Sequence, residues 1–265
     1  MQKTKADSEQ MPIPEGHFRF ENDRIVECAL EIRFTSDGFT EDSIFEQMTS
    51  AFEGAAYPEI VPFKIFEAQI QLGEEASQAH QKSTEGRAFH SEDKKRTFQV
   101  RNGAFLFSQL APYNSWKEFS IAAVEVWSTL ENLLSGSKID RIGVRTINQF
   151  DFINSASQAK QFLKFGLDLP LELEDSEINA FGAVELQPDK NGLGAKIIEA
   201  FRPGESGSDL ILDIDVYWNN DSNGSDPVPV SECLKSIRDF KNMIFISIIT
   251  PEMDVKLGQK IPVEE

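Results

Sequence analysis

A chain of 265 residues with 40% apolar content is long enough to bury a substantial core, which excludes disorder throughout. Its 26 basic residues against 44 acidic ones give a net charge of −18, which repels phosphate backbones and removes the counterion release behind most nucleic-acid affinity. Cys28 and Cys233 are too few for a disulfide framework, and each sits in an apolar pattern, so both read as buried free thiols.

Met1 to Gln10 is polar and lacks the apolar core of an export signal, and the first 22 residues read as a flexible arm. From Arg24 the pattern alternates: Val26, Cys28, Leu30, Ile32 and Phe34 face one way, Glu27, Glu31 and Arg33 the other, a strand with one wet face. Thr40 is placed to cap a helix carrying Ile44, Phe45, Met48 and Phe52, which Gly54 ends. Three strands are expected next, near Pro62 to Leu72, Gly86 to Glu92 and Arg96 to Leu110. Asp93-Lys94-Lys95 forms a turn, and Asn102-Gly103 a bend or bulge. Ser115 and Glu118 make a capping box for a helix striped by Phe119, Ala123, Val126, Trp127 and Leu130.

The series then recurs. A strand from Arg141 to Phe150 turns Ile142, Val144, Thr146, Asn148 and Phe150 one way and Arg141, Arg145 and Gln149 the other. Ser155 and Gln158 cap a short helix, and strands are expected near Ile178 to Leu186, Ala195 to Phe201 and Asp209 to Trp218. A polar loop, Asn219 to Pro229, leads to a long helix from Ser231 to Thr250. Pro251 stops it, and a final turn or two closes at Gly258. The longest apolar stretch, Met243 to Ile249, is too short to span a bilayer, so no membrane association is expected and the location is read as cytoplasmic.

Arg24 and Arg141, which open the two series, lie 141 − 24 = 117 residues apart. The expected fold is therefore α+β: internally duplicated βαβββα units forming a mainly antiparallel eight-stranded sheet with helices on one face. The halves run over 23–137 and 138–258, leaving a tail at 259–265.

Five segments carry a family likeness: Val26 to Phe34; Tyr113-Asn114-Ser115-Trp116 with Phe119; Arg141 to Asn148; Leu212 to Tyr217; and Asn242 to Phe245 with Ile249-Thr250. In this order they resemble the sporadically distributed family of uncharacterised prokaryotic proteins, over nearly the whole chain. Asn114 departs from the family's usual proline and Thr146 from its usual aromatic residue. The resemblance implies patchy occurrence among accessory genes and brings no catalytic residues with it.

Asp209, Asp213 and Asp215 share one strand face. Paired carboxylates of this kind can hold Mg²⁺ for phosphoryl chemistry, with Arg145 steadying the anion. No phosphate-gripping glycine loop accompanies them, and Arg33, Arg141 and Arg145 are positioned to pair with them instead. Asp221, Asn223, Ser225 and Glu232 fit a calcium loop in spacing, but Gly224 stands at the wrong position. His17, His80 and His90 lack partners at ligand spacing, so neither metal nor cofactor is expected. Trp218, at a strand end beside a polar loop, joins Arg33 and Arg141 as a candidate contact residue. Two functions follow. One is an acidic cytoplasmic module that binds a protein partner of basic character, as an inhibitor, antitoxin-like or regulatory subunit of an accessory or defence-type operon. The other is a metal-dependent phosphoester or nucleotide enzyme using Asp213 and Asp215.

Overall fold

The computed structural model describes residues 17–36, 39, 41–52, 56–71, 78–134, 136–166, 181–204, 207–220 and 229–263. In chain order the elements begin with β1 (Phe18–Phe20), β2 (Ile25–Thr35), α1 (Glu41–Phe52), β3 (Glu59–Gln71) and β4 (Gln78–His90). There follow β5 (Arg96–Arg101), β6 (Ala104–Leu110), α2 (Trp116–Leu133), β7 (Lys138–Phe150), α3 (Ala156–Phe162) and β8 (Phe181–Leu186). The last are β9 (Leu193–Gly204), β10 (Gly207–Asn219), α4 (Val230–Ile248), α5 (Pro251–Leu257) and β11 (Lys260–Pro262). The protein is α+β, and among the described residues it has five helices on one large sheet and a separate two-stranded ribbon. No helix among them is long and apolar enough to cross a membrane.

The sheet has nine strands in the order β3-β4-β5-β6-β2-β7-β10-β9-β8, every neighbour antiparallel. The expected count of eight is corrected at Asn102-Gly103, which is a hairpin turn rather than a bend. Gly103 takes φ +78°, and Arg101 faces Ala104 across the closed end. Asn-Gly supplies the left-handed backbone that a two-residue reversal demands. Pro62 fits inside β3 because β3 is an edge strand, where one row of N–H groups has no ladder to serve.

Alternation along the central strands decides which face the helices cover. Cys28, Leu30, Ile32 and Phe34 of β2, Ile142 and Val144 of β7, and Leu212, Ile214 and Val216 of β10 are all buried in one cluster. The apolar stripes of all five helices join that cluster, from Ile44 and Met48 of α1 to Met253 and Leu257 of α5. The caps are as expected: Ser115 Oγ accepts from the Glu118 amide at 3.1 Å, Ser155 Oγ from the Gln158 amide at 3.2 Å, and Thr250 Oγ1 from the Met253 amide at 3.3 Å. Gly258, at φ +78°, ends α5. The expected Thr40 cap, the Gly54 stop and the start of the strand at Ile178 lie outside the described residues.

The first and last described strands meet. β1 pairs antiparallel with β11, Phe18 opposite Pro262 and Phe20 opposite Lys260, so the end of the expected arm and the expected tail are tied to each other rather than loose. The Lys260 ammonium lies 5.6 Å from the ring centres of both Phe18 and Phe20, and Phe20 is buried.

Candidate functional site

On the face that none of the described helices covers, Arg141, Arg145 and Gln149 stand four residues apart along β7, between carboxylates of β2 and β10. Arg145 grips Asp213 with Nε 2.9 and 3.0 Å from its two carboxylate oxygens and Nη2 2.5 Å from Oδ2. Arg141 bridges Glu31 at 2.5 Å and Asp215 at 2.9 Å, while its guanidinium lies 4.7 Å from the centre of the Tyr217 ring. That position exists because residue 143 is glycine: a Cβ there would stand 2.5 Å from Arg141 Nη1. Gln149 Nε2 donates to Asp209 at 2.6 Å, and Ser108 Oγ donates to Glu27 at 2.7 Å. Arg33 is exposed, its Nε 3.2 Å from Glu31.

Burial pushes the Asp215 carboxyl above the usual aspartate range, and the Arg141 charge and hydrogen bond offset only part of this. The hydrogen bonds that Arg145 donates to Asp213, added to that carboxylate's charge, hold the Arg145 guanidinium above its ordinary value. Both aspartates on which metal chemistry would depend are therefore occupied by guanidinium groups. Among the described residues no three His, Cys, Asp or Glu side chains gather as a metal site; Asp221, Asn223 and Ser225 lie outside them. Trp218 points to the other face, where it packs at the edge of the core over Gly192.

The concave site is on the helix side, at residues not singled out for chemistry in the sequence. A cavity of about 110 Å³ lies between β1, the start of α2, α4 and the centre of the sheet. Its floor includes Thr146 and Asn148 of β7, both buried, with Asn148 Nδ2 donating to the Leu212 carbonyl at 3.2 Å. Its roof is Phe18 and Phe20 of the terminal ribbon. One wall is α4, which contributes Arg238, Lys241 and Phe245. Lys241 Nζ donates to Asn242 Oδ1 at 2.8 Å and has no carboxylate partner among the described residues. Burial pulls its ammonium below the usual lysine range, the nearby Arg238 charge adds to that, and only Cys28 acts against them. Arg238 is buried, its guanidinium 5.9 Å from the centre of the Trp116 ring.

Beside the cavity Cys28 lies opposite Thr146 in the ladder, fully buried and hydrogen-bonded to Tyr113. Burial pushes this thiol up to about 12, so it is protonated and inert as a nucleophile at neutral pH. At the rim, burial also raises Asp23, with Arg19 opposing, and Arg24 pairs with Asp151 at 3.3 Å. The sequence did carry a signal: Leu234, Arg238, Lys241 and Phe245 keep 4-3-4 spacing, which sets two cations on the buried stripe of α4. Four of the five segments quoted for the family resemblance contribute lining residues, among them Tyr113, Asn148, Ile214 and Asn242. No protein-family model matches this chain, and no curated protein matches it.

Proposed function

We propose that the chain is a cytoplasmic, protein-binding regulatory module of the inhibitor or antitoxin-like kind, belonging to the sporadically distributed prokaryotic family it resembles. The observation that carries this reading is the double grip of β7 on β10: Arg145 on Asp213 and Arg141 on Asp215. A phosphoryl-transfer enzyme needs those carboxylates for metal, and a guanidinium already occupies each. The same face is broad, bare of the described helices and mixed in character, with Arg33 and Leu110 exposed beside Glu27 and Glu31, and the net charge of −18 steers a basic protein toward it.

We further infer that the two halves are copies of one βαβββα unit. In support, the strand order runs outward from the β2–β7 pair in matching steps: β6 and β10, β5 and β9, β4 and β8, with β3 as an addition to the first half. Co-expression with the product of the adjacent gene tests the binding reading. Co-purification that is lost in Arg33→Glu or Leu110→Glu, with folding retained, is the expected result. Co-purification indifferent to both, or none at all, overturns the assignment of this face.

A further inference from the structure

We propose that the cavity between β1, α2 and α4 is a binding site for a short-chain organic monocarboxylate, whose carboxylate meets Lys241 and whose apolar end fills the space under Phe20 and Ile246. The site lies on the opposite side of the sheet from the proposed protein-binding face, so the two readings stand or fall separately.

The argument begins with Lys241. Lys241 is half-buried, and an ammonium partly removed from water is costly unless an anion accompanies it; folds ordinarily provide a carboxylate for that purpose. Here the described residues provide a single neutral amide oxygen, that of Asn242, while Arg238, Arg19 and Arg24 line the same cavity together with one acid, Asp23. The depressed affinity of Lys241 for its proton has the same origin. An anion entering the cavity supplies the missing charge and restores that affinity.

Size and lining determine which anion. At about 110 Å³ the cavity is smaller than the roughly 150 Å³ space that accepts benzene in a protein core, and larger than any one water requires. Its walls are mainly apolar, from Phe20, Ile25, Ile214, Phe245, Ile246 and Leu257. A phosphate dianion carries four oxygens that would each need a donor, and these walls leave most of them bare. A monoanion with a two- to four-carbon tail places its one charged group on Lys241 and its tail against the apolar wall. Asn148, already committed to the Leu212 carbonyl through Nδ2, retains its Oδ1 as an acceptor for a water. The ribbon of β1 and β11 forms the roof.

The test uses the intact chain with propionate as probe, read by calorimetric titration and thermal melting against equal ionic strengths of chloride and of phosphate. The expected result is a saturable propionate effect exceeding that of both inorganic anions, weakened by more than about tenfold in Lys241→Met and largely kept in Lys241→Arg. Ile246→Trp, which fills the cavity without touching the charge, should abolish it, and this variant decides the matter if Lys241→Met does not fold. In the wild type the affinity should fall as pH rises and Lys241 loses its proton. No saturation, an equal response to phosphate, or unchanged binding in either Lys241→Met or Ile246→Trp overturns the proposal.

Discussion

Arg145 stands opposite Asp215 in the β7–β10 register yet binds Asp213, whose own partner in the ladder is Ile147. The reach is diagonal because Arg141, leaning the same way over Gly143, already holds Asp215. Arg145 thus reaches two residues along β10 from its own ladder partner and Arg141, which stands opposite Asn219, reaches four, so the row is interlocked rather than a set of independent pairs.

That arrangement makes the two aspartates unequal. Asp215→Asn leaves Arg141 on Glu31 and removes a carboxyl that burial already disfavours, so its cost should stay within about 1 kcal/mol. Asp213 is buried and holds Arg145, whose side chain is half exposed and can rehydrate; Asp213→Asn should cost about 1–3 kcal/mol. Urea unfolding of the two variants checks the order, and a larger loss for Asp215→Asn contradicts it.

With its carboxylates occupied in this way, the protein should melt at the same temperature in EDTA, Mg²⁺ and Mn²⁺. A rise that saturates with cation and disappears in Asp215→Asn would instead establish a metal site and favour the phosphoester enzyme.

Alkaline pH should destabilise the fold through Cys28. Burial raises the thiol from its ordinary 9.0 to about 12, so the native state keeps a proton that the unfolded chain releases. Stability is therefore complete below about pH 9 and falls as pH rises toward 12, by up to about 1.4 kcal/mol per pH unit for each such thiol. Lys241 has the opposite sign: its depressed affinity makes the native state release a proton first, so its contribution improves as pH approaches 10.5. Unfolding measured between about pH 8 and about pH 11 should show a shallower decline in Cys28→Ala and a steeper one in Lys241→Met.

Removing residues 259–265 deletes β11 and uncovers Phe18 and Phe20. Loss of that cover should cost about 1.5–3 kcal/mol, the scale for re-exposing one large apolar side chain, and should increase binding of a hydrophobic dye. A truncated chain as stable as the full one would mean that the ribbon contributes nothing to the core.

Neither duplex nor single-stranded nucleic acid should bind at physiological salt, given the −18 charge and the commitment of Arg141 and Arg145 to carboxylates. A micromolar gel shift that weakens as salt rises would refute this.

Local order determined much of what could be read in advance. The alternation of β2, β7 and β10, the Ser115, Ser155 and Thr250 caps, the Pro251 stop and the charged faces of the central strands all depend on neighbours within a turn or a pleat, so they are written in the chain itself. Charge complementarity between Arg141 or Arg145 and the β10 aspartates was legible for the same reason, since parity alone places them on one face. Which arginine takes which aspartate was not, because that depends on the register of β7 against β10 and on the room above Gly143. The Asn102-Gly103 reversal was visible as a turn signal, but only pairing of β5 with β6 made it a hairpin and the sheet nine-stranded. The ribbon of β1 and β11 joins residues from the two ends of the chain, a contact for which no local pattern exists. The cavity belongs to the same class: Lys241 on its stripe was readable, but its walls come from β1, β7, β10 and α2, and only the packed fold places that ammonium, which has no carboxylate partner among the described residues, beside an apolar space.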